Sequence, residues 1–169
     1  MLNKSWTITA EVELPDNRAT GMIVTHGGLE GGYGLYVRDG KPTFVYNFLA
    51  IERPTFAGRQ ALPKGKATIV VDFDYDGGGM GKGGKITMTA NGKRIAQGRL
   101  ERTVPIKLSI GEGLDIGMDG GSPVDFTYKM PFVFTGKIEK VTIELKPQAT
   151  DTQSRDARRE RIRETAMAH

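Results

Sequence analysis

The stretch DYDGGGMGKGGKITM, residues 74–88, decides between an α/β nucleotide-binding fold and an all-β fold. Residues 79–85 fit the phosphate-loop pattern G-x-x-x-x-G-K, and their glycines also fit G-x-G-x-x-G. Both patterns bind phosphate only where the loop leaves a strand and opens a helix. The chain continues instead as ITMTANGK, which is β-branched and ends in a turn, and Ile86 stands where Ser or Thr would ligate magnesium. We therefore interpret the stretch as a wide β-hairpin loop in which glycine supplies positive φ angles.

Strands are predicted on both sides of this loop and along most of the chain. From Trp6 to Leu14 apolar and polar residues alternate strictly, which is typical of a strand with one buried face. The same kind of pattern predicts strands at about residues 6–14, 21–25, 35–38, 41–48, 67–75, 85–90, 93–100, 104–110 and 137–145.

The connections between these strands are rich in glycine. Asp39-Gly40 and Asn91-Gly92 each supply the two positive-φ positions of a tight hairpin turn. Residues 26–34 are predicted to form a glycine-rich loop, and residues 111–136 an ordered surface loop. Residues 43–49 are apolar on both faces, which predicts an interior strand.

Length and composition indicate one all-β domain. The 169 residues include 23 glycines without a repeat period, and the absence of cysteine excludes disulfides and thiolate metal sites. The net charge of +4 is spread over the chain, so nucleic acid is not an indicated partner. No long apolar run or signal-peptide pattern occurs, so we expect a soluble chain, cytoplasmic by default, with no membrane partner.

The C-terminal residues differ in composition from the rest. We predict a β-domain over residues 1–147 and a charged helical or disordered tail over residues 148–169. A helix there would have a cap at Thr150 or Asp151 and pairs such as Asp156–Arg159 spaced i,i+3.

Four residues are candidates for contact with a ligand. His26 lies at the start of a glycine-rich loop, and Tyr33, Asn47 and Arg53 lie near the first hairpin with other aromatic residues. Aromatic and amide side chains on one sheet face would suit a sugar or an aryl group. The alternative for the aromatic cluster is core packing, and for His26 a loop position satisfied by backbone.

Three aspartates are candidates for a calcium site. Asp115, Asp119 and Asp125 are spaced by glycines, and calcium prefers hard oxygen ligands on flexible loops. The spacing is not that of an EF-hand, and Asp-Gly pairs are also ordinary turn chemistry. No cofactor is firmly indicated, and calcium remains a hypothesis.

Several separated blocks resemble the C-terminal domain of bacterial arylsulfatases. They are GGLEGGYGLYVRDGKPTFVYNFLAIER, DFDYDGGGMGKGGKITMTANGKRIAQGRLERTVP, GLDIGMDGGSPVDFTY and FTGKIEKVTIEL, so the resemblance covers residues 5–147. It implies a two-sheet antiparallel β-sandwich, of the jelly-roll or concanavalin and laminin-G type. The sulfatase chemistry of that family requires a [CS]-x-P-x-R motif, which is missing here, so we expect no catalysis by this chain alone.

The resemblance leaves two functional hypotheses. The first is a noncatalytic accessory domain that packs on a sulfatase catalytic domain, or on a second copy of itself, and shapes access of substrate. The alternative is a free-standing lectin-like module that binds carbohydrate. A glycan hydrolase is disfavoured because no pair of acidic residues has the placement that such an enzyme needs.

Overall fold

The computed structural model of the protein describes residues 1–147, which fold into ten strands in two antiparallel sheets. The predicted tail at residues 148–169, with its helix, lies outside the described residues. The strands are β1 (Trp6–Leu14), β2 (Gly21–Gly28), β3 (Gly31–Arg38), β4 (Lys41–Asn47), β5 (Thr55–Ala57), β6 (Gly65–Tyr75), β7 (Lys82–Ala90), β8 (Lys93–Arg102), β9 (Leu114–Ile116) and β10 (Lys137–Leu145).

Each sheet has five strands. The first sheet has the order β10-β1-β6-β7-β8, and the second has the order β5-β4-β3-β2-β9. β1 pairs with both β6 and β10, so a strand from the start of the domain lies beside the strand from its end. The two sheets pack face to face, which confirms the predicted all-β sandwich.

The core lies between the inner faces of the two sheets. In β1 the alternation of the sequence becomes an alternation of burial, because every second side chain points inward. Large core side chains that are at most 2% exposed come from both sheets: Trp6, Ile8, Leu14, Tyr33, Leu35, Phe44, Ile69, Phe73 and Ile86.

The second sheet is covered on its outer face as well. Residues 117–134, here called the outer segment, cross that face and form a second apolar cluster with it. The cluster consists of Met22, Tyr36, Val45 and Val124, with Tyr128 and Phe132 packed against them. This cover explains why β4 is apolar on both faces, and β4 has a neighbouring strand on each side as predicted.

Backbone hydrogen bonds hold both ends of the outer segment to β2. Gly117 N donates to Ile23 O at 2.9 Å, and Met22 N donates to Phe132 O at 3.1 Å. Phe134 N donates to Gly117 O at 2.9 Å, so the two ends of the segment also meet each other. The segment is therefore a closed surface loop, which confirms the prediction for this part of residues 111–136. Residues 114–116 of the predicted loop instead form the short strand β9.

The glycine stretch at residues 76–81 joins β6 to β7, and β7 follows where a phosphate loop would begin a helix. Gly77, Gly78, Gly79 and Gly81 all have positive φ, between 69° and 133°. The hairpin interpretation is thus confirmed. The turns at Asp39-Gly40 and Asn91-Gly92 also have positive φ at both residues, as predicted.

The predicted glycine-rich loop at residues 26–34 is wrong. β2 and β3 run through most of residues 26–34, leaving only a two-residue turn, and His26 pairs with Tyr33. The glycines permit this close pairing, since a Cβ on Gly32 would lie 2.0 Å from the carbonyl oxygen of His26.

Residues 104–110 do not form the predicted strand. Val104 and Leu108 are buried, while Ile106 and Ile110 are 78% and 76% exposed. Ile106 is exposed although it lies midway between the buried Val104 and Leu108, so the two-residue alternation of burial expected of a strand is absent.

Among residues 1–147, no helix is long and apolar enough to cross a membrane.

Candidate functional site

A groove of about 400 Å³ lies on the outer face of the second sheet, between the turn at Asp39-Gly40 and the outer segment. Its volume is within the range of small-ligand sites. Strands β3, β4 and β5 form one part and the outer segment another. The lining residues are Tyr36, Arg38, Asp39, Lys41, Thr43, Thr55, Ala57, Asp125 and Thr127. We call this the outer groove.

A buried carboxylate joins the outer segment to the sheet beneath the outer groove. Asp125 is 4% exposed, and its Oδ2 accepts hydrogen bonds from Tyr36 Oη at 3.0 Å and from Thr127 Oγ1 at 2.7 Å. Its Oδ1 accepts from Thr127 N at 3.2 Å. Burial raises the pKa of Tyr36 to about 12, so its hydroxyl keeps the proton that it donates at neutral pH. The carboxyl oxygens of Asp125 thus accept from three donors within the wall of the groove.

Arg38 forms the cationic part of the outer groove. Its Nη2 donates to Thr127 O at 2.7 Å and to Thr127 Oγ1 at 2.9 Å, and its guanidinium carbon lies 5.5 Å from the centre of the Tyr36 ring. Within residues 1–147, Nη2 is the one nitrogen of the Arg38 side chain that donates a hydrogen bond. Nη1 and Nε therefore keep donors with which a carboxylate or sulfate could pair.

The rest of the outer groove offers polar groups of several kinds. Lys41 follows the tight turn and makes no side-chain hydrogen bond or ion pair within residues 1–147. Asp39 is exposed at the rim, and Thr43 and Thr55 line the wall. Their hydroxyls donate to Lys41 O at 3.4 Å and to Arg53 O at 3.3 Å, so toward a sugar they can serve as acceptors. The groove can therefore give cations to an acidic group and hydroxyl or carboxylate partners to the hydroxyls of a sugar.

The structure brings together two of the four predicted ligand residues, Asn47 and Arg53. The Asn47 side chain is buried and donates to the carbonyls of Gly28, at 2.7 Å, and Leu29, at 3.0 Å. Arg53 Nη2 also donates to Leu29 O, at 3.3 Å. Ala50 N donates to Asn47 Oδ1 at 3.0 Å, so the first role of Asn47 is to join two turns.

His26 and Tyr33 lie elsewhere. Tyr33 is 1% exposed in the core, and burial raises the pKa of its hydroxyl. His26 is half-buried with its ring centre 5.8 Å from that of Tyr33, and burial lowers its pKa, so its imidazole is neutral at pH 7.

His26 lines a second groove of about 540 Å³, which is separate from the outer groove. The second groove lies between the start of the chain and residues 106–113, and much of its lining is aliphatic. The apolar residues that line it are Met1, Leu2, Ile106, Leu108 and Ile110.

The three aspartates predicted for calcium do not form a ligand set. Asp115 is exposed on β9, whereas Asp119 and Asp125 are buried and accept hydrogen bonds from tyrosine hydroxyls. Burial raises the pKa of Asp119, and the hydroxyl of Tyr128 opposes that rise. Within the described chain, no group of three or more His, Cys, Asp or Glu side chains could hold a metal ion.

Solved structures with similar folds include domains from sugar-related proteins. The CBM40 domain of the Ruminococcus gnavus IT-sialidase, bound to α2,3-sialyllactose, has a TM-score of 0.59 and 16% identity, over 89% of this chain and 80% of that one. The chain has the fold of that domain. The leech intramolecular trans-sialidase, complexed with 2,7-anhydro-Neu5Ac, has a TM-score of 0.57 and 13% identity, over 89% of this chain and 22% of that one.

The LG1–3 region of the laminin α2 chain is also similar, with a TM-score of 0.58 and 9% identity, over 83% of this chain and 27% of that one. At these identities the likeness concerns the fold alone. No protein-family model and no curated protein sequence matches the chain. The fold type implied by the resemblance is therefore confirmed, while the relation to arylsulfatases stays a prediction.

The sequence did not single out Arg38, Lys41 or Thr127. A signal was present, because in β3 and β4 the residues between the core positions point to the outer face. Thr127 could not be placed in this way, since it lies in the outer segment, 89 residues after Arg38.

Proposed function

We propose that the protein is a noncatalytic glycan-binding domain that binds an acidic sugar in the outer groove. The observation that carries the proposal is the groove itself, with Arg38 and Lys41 beside a wall of threonine hydroxyls. A carboxylate or sulfate of the sugar pairs with the two cations, and its hydroxyls pair with threonine side chains and Asp39. The similarity in fold to a domain bound to sialyllactose supports the same class of ligand.

The test is a calorimetric titration of the chain with 3′-sialyllactose and 3′-sulfolactose, and with lactose as the neutral sugar. We expect the two acidic sugars to bind more tightly than lactose, and their affinity to fall as salt is added. Arg38→Ala should weaken binding of the acidic sugars roughly tenfold or more, since a hydrogen bond to a charged group contributes about 1.5–3 kcal/mol.

Lys41→Ala tests whether the groove contacts the ligand, as distinct from whether the groove keeps its shape. Lys41 makes no side-chain hydrogen bond within the described residues, so its removal should not disturb the groove. The variant should weaken binding of the acidic sugars and leave the free energy of unfolding unchanged. Lys93→Ala is the matched control, because Lys93 is likewise exposed and follows the other tight turn, Asn91-Gly92. Equal binding of lactose and the acidic sugars, or equal effects of the two lysine variants, contradicts the proposal.

A second candidate is the accessory role suggested by the resemblance to arylsulfatases. It is favoured by the second groove, where Ile106 and Ile110 are 78% and 76% exposed beside other aliphatic side chains. Exposed apolar surface of this kind suits contact with another protein domain. A chain that binds none of the three sugars but gains stability on mixing with a sulfatase catalytic domain would favour this candidate.

A further inference from the structure

An exposed aromatic residue lies between two residues of the outer groove in the sequence. Phe126 is 60% exposed, although large apolar side chains are usually covered in a folded domain. Its neighbours in the chain, Asp125 and Thr127, both line the groove. The ring itself does not line the groove; it lies on the Arg53 side of this stretch of the outer segment.

Arg53 supports this ring from one side. The guanidinium carbon of Arg53 lies 4.1 Å from the centre of the Phe126 ring, a close cation–π contact. Because the guanidinium covers one face of the ring, the exposure of Phe126 comes from the other face and the ring edge. Arg53 makes two long hydrogen bonds, from Nη2 to Leu29 O at 3.3 Å and from Nη1 to Ala50 O at 3.5 Å.

The two turns next to Arg53 are joined by hydrogen bonds and expose several apolar side chains. The buried Asn47 joins the turn at Gly28–Leu29 to the turn at Leu49–Ala50 by three hydrogen bonds. Leu29, Leu49 and Ile51 expose 43%, 43% and 67% of their surface on these two turns. A ligand that meets the ring therefore encounters a surface that is already ordered, so little conformational entropy is lost on binding.

A flat, exposed aromatic face suits the apolar C–H face of a pyranose ring. We propose that Phe126, backed by Arg53, is a second sugar subsite, which binds the neighbouring sugar of an oligosaccharide whose acidic residue lies in the outer groove. This inference rests on the proposed function. It makes the preferred ligand an acidic oligosaccharide rather than an acidic monosaccharide.

The test compares the full chain and Phe126→Ala in titrations with N-acetylneuraminic acid and with 3′-sialyllactose. The wild-type chain should bind the trisaccharide more tightly than the monosaccharide. Phe126→Ala should weaken binding of the trisaccharide roughly two- to tenfold, the range for contacts with an aromatic ring, and leave the monosaccharide unchanged. Phe126→Tyr keeps the ring face and should keep the affinity for the trisaccharide.

A fluorescence variant reports contact at this position directly. The chain has one tryptophan, Trp6, which is 2% exposed, so Phe126→Trp adds the only exposed indole. Its emission should change when 3′-sialyllactose is added. Met80→Trp is the matched control, because Met80 is 69% exposed on the glycine loop of the other sheet, and its emission should not change.

The outcomes separate this inference from the proposed function. If Phe126→Ala binds both sugars as the wild-type chain does, the second subsite is wrong and the outer groove stands. If Phe126→Ala weakens the binding of both sugars by the same factor, Phe126 supports the groove and is not a subsite. If the wild-type chain binds neither sugar, both proposals are wrong.

Discussion

Trp6→Ala is expected to lower the free energy of unfolding by about 3–5 kcal/mol, the usual cost of truncating a buried large aromatic residue to alanine. Trp6 is 2% exposed, and its ring centre lies 5.3 Å from that of Phe73 in its own sheet. It also lies 5.7 Å from the ring centre of Phe44 and 6.2 Å from that of Tyr33, both in the opposite sheet. Removal of the indole therefore opens a cavity where the two sheets meet.

Urea unfolding followed by far-ultraviolet circular dichroism measures this loss, because the variant has no tryptophan left to report by fluorescence. Trp6→Phe keeps a ring in the same place and should lose less stability than Trp6→Ala. Met80→Ala is the surface control and should change the free energy of unfolding by no more than about 0.5 kcal/mol. A loss below about 1 kcal/mol for Trp6→Ala would contradict the packing described here.

Val124→Asp should weaken glycan binding more than tenfold while the sandwich stays folded. Val124 is fully buried in the outer cluster between the outer segment and the second sheet. It lies so close to β3 that a Cβ on Gly34 would be 3.0 Å from its Cγ1. An aspartate at this position buries a polar group without a partner, which costs roughly 2–7 kcal/mol, so the outer segment should leave the sheet.

The outer segment carries Asp125 and Thr127 of the outer groove and the ring of Phe126. Its departure should weaken binding of 3′-sialyllactose more than tenfold, and hydrogen exchange should quicken over residues 117–134. Native emission of Trp6 would show that the core is intact. Val133→Asp makes the same change at a residue of the same segment that is 51% exposed, and it should bind as the wild-type chain does. Normal sugar binding by Val124→Asp would exclude the outer segment from the site.

The strands that sequence predicted best are those with one buried face. Residues 6–14 alternate because every second side chain enters the core, so burial in the structure repeats the pattern of the sequence. The tight turns at residues 39–40 and 91–92 were also predictable, since their positive φ angles favour Asp-Gly and Asn-Gly pairs.

The candidate site was harder to predict because it depends on contacts between distant residues. The apolar residues of β4 indicated that both faces of this strand are covered, and the outer segment is the cover. No local pattern specifies where such a segment lies on a sheet, so Thr127 and Phe126 could not be assigned to a groove. Tyr33 was a candidate because aromatic residues suit sugars, yet the period of β3 places it in the core.

The most direct test of glycan binding in the outer groove is a nuclear magnetic resonance titration of the ¹⁵N-labelled chain with 3′-sialyllactose. We predict that the amide signals that shift are those of residues 38–41, 43, 55 and 125–127, and that lactose shifts them less. Signals of residues 106–113, in the second groove, should stay in place. Shifts confined to residues 106–113, or no shifts with the acidic sugar, would contradict the account.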